Sequence, residues 1–448
     1  MSIEQPPQGF VKLLVRLFSV QAIGLVCGFL SHLLLARMLA PEQYGVFNFI
    51  FSSAMLCALL GNFGFQASSV RLIPQFTLAK QASLLRKFYG FSFAWVLGMS
   101  TLAGLGLYGL YANVLLSEDY TQTTLIIGVI LVLFIALIKL NSGVLKGFKK
   151  ESLALTYESG LKEILLLGFL AIVFLAGFSM SSAVVVLIAL VCIFLGLLIT
   201  SSTHAIALVR PLKPVSEEGK KQQAAENIKD ENQIQLYRRW LRISLPMMLV
   251  ISAQMLIHRS DIVLLGLLSS ASDVGLYSAG AKLAQAATIA MMALNIVFSP
   301  RAAEAFHQND TSGLCNLYGK IMKLQAISTA TMAICIALGA QVVLNFIGTE
   351  YAQALPVVYV LLTGYVLNAF WGPVPFLMIM TKYEDQAMWI TFAAALLNIM
   401  LNIVLIPVYG IVGAAISTVI ALNLRNAGAL LYVLSKGLLS ESRKQTDE

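Results

Sequence analysis

Long apolar runs separated by short polar breaks occupy the chain from residue 13 to residue 435. They fall at 13–36, 44–69, 88–113, 122–145, 153–177 and 183–209, then at 243–268, 275–299, 321–347, 354–380, 386–406 and 411–435. Each is long enough, at about 20 residues, for an α-helix to cross a hydrocarbon core, so the pattern predicts twelve membrane-spanning helices. One long hydrophilic stretch interrupts it, RPLKPVSEEGKKQQAAENIKDENQIQLYRRWLR (210–242), with eight Lys/Arg against five Asp/Glu. A Lys or Arg at mid-bilayer costs at least ~2.5–3.5 kcal/mol, so this stretch is expected to be a cytoplasmic linker. The expected fold is all-α: a polytopic membrane protein whose twelve transmembrane helices form two six-helix lobes around a central cleft. Its parts are an N-terminal lobe (1–209), the linker (210–242), a C-terminal lobe (243–435) and a cytoplasmic tail (436–448).

Composition agrees with this pattern. The chain is 58% hydrophobic and 12% charged, whereas about a quarter of the residues in soluble domains are charged. A net charge of +8 would suggest nucleic acid in a soluble protein; here it reflects basic loops, and no nucleic-acid partner is expected. With the N-terminus inside, cytoplasmic segments carry 24 of the 30 Lys and Arg residues. The outer loops hold Arg37 with the acids Glu42, Glu118, Asp119, Asp273 and Glu350. That asymmetry follows the positive-inside rule and places both termini in the cytoplasm. The opening MSIEQPPQGF lacks the pattern of a cleavable signal peptide. Five scattered cysteines without a CxxC pair indicate neither a disulfide framework nor a metal site. The four histidines are dispersed, and no cofactor is implied.

The two halves are expected to be an internal repeat, the alternative being that any two hairpins of apolar helices look alike. LLLARMLAPEQYGVFNF (33–49) lies against VLLGLLSSASDVGLYSA (263–279) at a shift of 230 residues. Gly45 meets Gly275 and Phe47 meets Tyr277; the same shift carries Arg71 onto Arg301 and Phe76 onto Phe306. Six spans per half make the repeats parallel, related by an axis along the membrane normal. Gly45 and Gly275 each follow a short external turn, where a small residue lets backbones approach closely.

These residues also carry a family likeness. LARMLAPEQYGVFNF resembles the first external turn of bacterial polysaccharide (O-antigen) flippases, within the multidrug/oligosaccharidyl-lipid/polysaccharide exporter superfamily. FGFQASSVRLIPQF (63–76) resembles their second helix and cytoplasmic turn, and SDIVLLGLLSSASDVGLYSAGAKL (260–283) the start of their second half. LLNIMLNIVLIPVYGIVGAAISTVIA (396–421) is similar to their eleventh and twelfth helices. The resemblance implies a carrier in the bacterial inner membrane that moves an undecaprenyl-diphosphate-linked oligosaccharide between leaflets for surface polysaccharide assembly, lipopolysaccharide included. Many relatives have fourteen helices, against the twelve read here. The major facilitator fold also pairs six helices with six, but its G-x-x-x-D-R/K-x-G-R-R/K signature is absent from VRLIPQFTLAKQASLLRKFYG (70–90).

Removing loop residues leaves Lys139, Lys162, Arg259, Lys282 and Arg425 within the spans, with the acids Glu158, Glu163 and Asp261. Ionisable groups inside a bilayer face the bundle interior or a watery cavity and mark function; a static ion pair is the structural alternative. Lys139 is near enough to the cytoplasmic end of its helix to snorkel. Glu158 and Lys162, spaced i, i+4, suit pairing on one helix face, whereas Arg259 and Asp261, about 200° apart, should face different neighbours. The excess of cations suits an anionic cargo, since Arg holds a diphosphate through bidentate hydrogen bonds. Lys162, Arg259, Arg425 and Lys282 are therefore the expected cargo-binding residues, and Asp261, Glu158 and Glu163 the candidate H⁺ or Na⁺ sites. Asn141, Asn398, Asn402 and Asn423 either line a polar cleft or bond helix to helix. Tyr44, Trp95, Tyr111, Tyr351 and Trp371, near span ends, are expected in interfacial belts.

Three function classes follow. A lipid-linked oligosaccharide flippase working by alternating access is the leading one. An ion-coupled multidrug antiporter of the same superfamily is the alternative; its cationic cargo would favour N-terminal-lobe acids, and Lys162 stands between the two present. An enzyme is not expected, because the outer loops are short and no catalytic or metal constellation appears. No G-x-x-x-x-G-K-S/T loop exists in the chain, so transport draws on a gradient rather than ATP. Cysteine tagging is expected to label the 210–242 linker and both termini from the cytoplasm and Glu118–Asp119 from outside; a linker labelled from outside would overturn the twelve-helix topology.

Overall fold

The computed structural model describes residues 8–114, 120–178, 182–210, 233–308 and 310–439. Glu118, Asp119, residues 211–232 of the linker and the tail from residue 440 lie outside the described residues. Every element within them is helical, as hydrocarbon requires of a spanning chain whose backbone must satisfy itself. Ten of these helices are long and apolar enough to cross a membrane, which makes this a multi-pass membrane protein. One of the ten, Glu384–Ser435, is 52 residues long and is broken at Gly410 (φ 55°, ψ −133°).

The chain divides into two compact units, one formed by Met1–Ser31 with Ile50–Ser252 and the other by His32–Phe49 with Ala253–Glu448. Three helices contribute to both: α1 (Gln8–Met38), α2 (Pro41–Asn62) and α9 (Gln233–Leu268). The first unit adds α3 (Phe65–Leu78), α4 (Ala82–Val114), α5 (Gln122–Gly147), α6 (Glu151–Leu155), a π-turn (Thr156–Gly160), α7 (Leu161–Leu175) and α8 (Ala183–Val209). Helix α5 is its centre, buried along most of its length against α3, α4 and α8. Its Gly143 and Gly147 form a G-x-x-x-G face. A Cβ at Gly143 would lie 2.3 Å from the Gln66 carbonyl, and one at Gly147 2.8 Å from that of Ser69. Bare backbone therefore lets α3 and α5 touch.

The apolar run at 44–69 is not one straight helix. Phe63 and Gly64 take positive φ (50° and 78°) and separate α2 from α3. The Asn62 carboxamide spans this break, accepting from the Gln66 amide at 2.9 Å and donating to the Ala136 carbonyl at 3.0 Å. Helix α9 begins at Gln233, within the stretch read from sequence as linker. Its first turns are fastened by aromatic rings. Trp240, 2% exposed, meets Phe88 edge-on at 5.2 Å, and Tyr237 stacks on Phe91 at 4.3 Å.

The second unit adds α10 (Ala271–Gln285), a 3-10 turn (Ala286–Thr288), α11 (Ile289–His307), α12 (Thr311–Ile347), a second 3-10 turn (Thr349–Ala354), α13 (Leu355–Phe370), α14 (Val374–Met380) and α15 (Glu384–Ser435). Ser270 caps α10 by accepting from the Asp273 amide at 3.1 Å, and Asp310 caps α12 from Gly313 at 2.8 Å, meeting the orphan amides of a helix start. Phe298, Tyr318, Leu377, Met378 and Val433 form one core cluster. Between α13 and α14 the chain turns through Gly372 (φ 70°), and the Tyr318 hydroxyl donates to the Trp371 carbonyl freed there, at 2.5 Å.

The repeat is visible in helix boundaries. Helices α1 and α9 end at Met38 and Leu268, and α2 and α10 begin at Pro41 and Ala271, both offsets matching the shift of 230 residues. The two turns also meet reciprocally. A Cβ on Gly45 would lie 1.7 Å from the Ala271 carbonyl, and one on Gly275 would lie 1.9 Å from the Pro41 carbonyl. The tyrosines around this junction are internal rather than interfacial. Tyr44 is fully buried and hydrogen bonds His32 Nδ1 at 3.0 Å, while the Tyr351 hydroxyl donates to the Leu39 carbonyl at 3.1 Å. Tyr111, buried in the first unit against Ser53 at 2.9 Å, departs from the belt expectation in the same way. Hydropathy sees a tyrosine near a span end but not the neighbour that covers it.

Gly45→Ala and Gly275→Ala are each expected to destabilise the purified protein by about 1–3 kcal/mol through overpacking, seen as a lower melting temperature. Gly90→Ala, which meets nothing within 4 Å, should not do so. Wild-type melting in both turn variants would show that the two turns part without loss.

Candidate functional site

A polar cavity of about 110 Å³ lies in the second unit, room for several waters. Helix α9 supplies His258, Arg259 and Asp261, and α10 supplies Tyr277, Ser278, Lys282 and Gln285; Asn48 of α2, Tyr365 of α13 and Thr418 of α15 complete its polar lining. Asp261 is the only carboxylate among these. It accepts from the Ile262 amide at 2.8 Å, from the Thr418 hydroxyl at 3.4 Å and from the Tyr277 hydroxyl. Its hydrogen-bond donors there are thus neutral, with Arg259 acting on it electrostatically.

Arg259 and Asp261 line this one cavity, although their spacing along α9 suggested different neighbours. A long arginine stem can reach round a helix where a short aspartate cannot. Arg425, half-buried on α15, does not line the cavity; its Nε donates to the Asn426 carboxamide at 3.2 Å. It still acts electrostatically on His258, as does Arg259. The structure therefore gathers Arg259, Lys282 and Asp261 around one space, with Arg425 within electrostatic reach of its rim. Sequence reasoning missed His258, whose one signal was its place beside two charged positions on an apolar helix. Gln285, Tyr365 and Thr418 carried no such signal.

The first unit holds a smaller cavity of about 30 Å³ lined by Phe51, Met55, Ile135, Ile138, Lys139, Glu158, Lys162 and Phe194. Glu158 accepts from Lys146 Nζ at 2.5 Å, from Gln66 Nε2 at 2.8 Å and from the Ser142 hydroxyl at 3.0 Å. Lys162 pairs with Glu163 at 2.7 Å and sits 5.1 Å above the Phe51 ring. The expected Glu158–Lys162 pair is thus replaced by two others. Glu158 lies in the π-turn Thr156–Gly160, whose wider i→i+5 winding breaks the one-face alignment of i, i+4 positions. Lys139 faces this cavity as well.

Asn141, Asn398 and Asn423 bond helix to helix, whereas Asn402 bonds within its own helix. Asn141 donates to Ser201 and Ser202 at 3.1 and 2.9 Å and accepts from Tyr89 at 3.1 Å. Asn398 accepts from Ser260 at 2.7 Å, Asn402 donates to Asn398, and Asn423 accepts from Trp371 Nε1 at 2.9 Å. None of the four lines either cavity. Among the described residues no group of three or more His, Cys, Asp or Glu is placed to hold a metal ion.

Residues 11–306 match the family model described as "Polysaccharide biosynthesis protein". No curated protein matches the sequence. Among solved structures, an inward-facing multidrug resistance MATE family transporter of the MOP superfamily is similar at TM-score 0.66 and 15% identity, covering 96% of this chain and 99% of that one. The lipid II flippase MurJ, in an inward closed conformation, is similar at TM-score 0.66 and 13% identity, covering 95% and 89%. A MOP superfamily transporter from Pyrococcus furiosus follows at TM-score 0.56 and 14% identity, covering 96% and 95%. The fold is that of MOP superfamily transporters.

Because Lys146 and Gln66 both donate to the Glu158 carboxylate and are themselves only part-buried, Glu158→Ala is expected to cost about 1 kcal/mol, the low end of the penalty for stranded polar partners. Glu158→Gln should cost distinctly less, since its carbonyl still accepts from Ser142 or Lys146. Melting curves of the two purified variants test this, and identical curves would remove the network from the stability of the unit.

Proposed function

The chain belongs to the polysaccharide biosynthesis protein family, and from that premise we propose that it is a flippase for an undecaprenyl-diphosphate-linked oligosaccharide. It works in the bacterial inner membrane by alternating access, for surface polysaccharide assembly such as that of O-antigen. Its topology is twelve crossings with both termini cytoplasmic: α15 counts as two spans across Gly410, and Glu151–Leu175 is a further one. Arg259 and Lys282, with Arg425 in electrostatic reach, receive the diphosphate.

One observation carries this reading. The larger cavity is lined by Arg259 and Lys282 against a single carboxylate, and a cationic, water-accessible space inside a membrane protein suits an anion. A lipid II flippase shares the fold, in keeping with a lipid-linked cargo. Asp261 is the best-suited coupling residue for H⁺ or Na⁺, because it lines that cavity with neutral donors. Glu158 and Glu163 are each already paired with a lysine.

The test is glycan export in cells, with abundance in the membrane fraction as control. Arg259→Gln and Arg425→Gln are expected to abolish export while the protein still inserts. Lysine at either site should restore it only in part, because charge returns without the planar fork. Asp261→Asn should slow export with ion gradients intact, whereas Glu163→Gln should not. Normal export by both glutamine variants at normal abundance would return the arginines to a structural role. Resistance to cationic drugs conferred by the intact protein, with glycan export unaffected by its loss, would favour the antiporter instead.

A further inference from the structure

Three polar side chains of the second unit lie deep within its spans without a hydrogen-bond partner. His258 and Gln254 belong to the span Ile251–Leu268, and Gln285 to the span Ala271–His307. At 1.5 Å per residue His258 is about 15 Å along its helix from the turn joining α9 and α10, and Gln254 and Gln285 are each about 21 Å from it. All three are therefore inside a hydrocarbon core of about 30 Å. Each is exposed, and none hydrogen bonds through its side chain to another described residue.

Lipid is not what these groups face. Hydrocarbon leaves a carboxamide or an imidazole unmet, so polar groups within spans turn to the protein interior or to water. His258 and Gln285 line the 110 Å³ cavity together with Arg259 and Lys282. Gln254, spaced i, i+4 from His258, shares its face of α9, and Gln285, spaced i, i+3 from Lys282, shares its face of α10. Other polar groups of the lining are already engaged. Tyr277 and Thr418 donate to Asp261, and Asn48 donates to the Tyr44 carbonyl at 2.8 Å. The cations of the cavity are thus flanked by uncharged groups that remain open to a ligand.

We infer, resting on the flippase reading above, that Gln254, His258 and Gln285 form the subsite for the sugar joined to the diphosphate. A sugar presents hydroxyl and acetamido groups, which donate and accept hydrogen bonds without carrying charge. Carboxamides match both roles, as does an imidazole through its two ring nitrogens. The guanidinium and ammonium groups beside them only donate, and their charge suits them to phosphate. A site equipped to hydrogen bond hydroxyls discriminates against a ligand that lacks them. The three residues therefore select a glycosylated lipid over one bearing the diphosphate alone, a choice that the cations cannot make.

The experiment is native mass spectrometry of the full-length protein in detergent, offered undecaprenyl-diphosphoryl N-acetylglucosamine and the methyl ester of undecaprenyl diphosphate at equal concentration. The ester carries the same charge and no sugar. Wild type is expected to retain the glycolipid preferentially by about a hundredfold, or roughly fivefold for each of the three hydrogen-bonding side chains. Gln254→Ala/His258→Ala/Gln285→Ala should remove that preference and leave retention of the ester unchanged, which also shows that the variant is folded. His258→Gln, still a donor and an acceptor, should keep most of the preference, and Arg259→Gln should weaken retention of both lipids alike. Equal retention of the two lipids by wild type would overturn the subsite and leave the flippase reading standing. So would an undiminished preference in the triple alanine variant, while loss of both lipids from that variant would reduce the three residues to a structural role. Retention of neither lipid by wild type would overturn the flippase reading and the subsite with it.

Discussion

Hydrocarbon offers no hydrogen bonds, so every backbone group that a helix break releases must be met from within the protein. This constraint decides where the long helices can be interrupted. Between α2 and α3 the Asn62 carboxamide takes the Gln66 amide and gives to Ala136 on α5. Between α13 and α14 the Tyr318 hydroxyl takes up the Trp371 carbonyl, while the Trp371 indole is held by Asn423. The breaks are therefore fixed features rather than soft points. They let single apolar runs change direction while the neighbouring helices stay packed.

Association between such helices gains little from hydrophobicity, because lipid is as apolar as leucine. Close backbone contact and polar bonds take its place. Gly143 and Gly147 lay α5 on α3, and the reciprocal contacts of Gly45 with Ala271 and Gly275 with Pro41 join two turns related by the internal repeat. The same scarcity of hydrogen bonds governs the charges. In the first unit the two glutamates read as lying within the spans are each matched by a lysine, Glu158 with Lys146 and Glu163 with Lys162. In the second unit the charges surround a cavity with room for water. One arrangement resembles an internal brace, the other a receptive site.

The fold itself does not select a cargo. A multidrug transporter and a lipid II flippase are similar to this chain at equal TM-scores and at 15% and 13% identity. Discrimination must come from the side chains placed on that scaffold. Here the larger cavity carries Arg259 and Lys282 beside one aspartate, a balance that favours an anion over a cation.

Much of this was open to sequence reasoning, because hydropathy is a property of each residue and the bilayer reads it directly. The apolar runs, the basic linker and the all-helical class follow from it. The shift of 230 residues located the paired turns that the helix boundaries reproduce. Subtraction of loop residues found Arg259, Asp261 and Lys282 as intramembrane charges, but could not tell that they share a cavity. Nor could it show that Glu158 reaches Gln66, 92 residues away, and Lys146 rather than Lys162, or that Tyr44 and Tyr351 are buried instead of interfacial. His258 passed unnoticed among dispersed histidines. Transfer into a membrane is a local cost, summed residue by residue, and so it is written along the chain. Partnership between side chains is a pairwise quantity that exists only once helices distant in sequence have been set against one another.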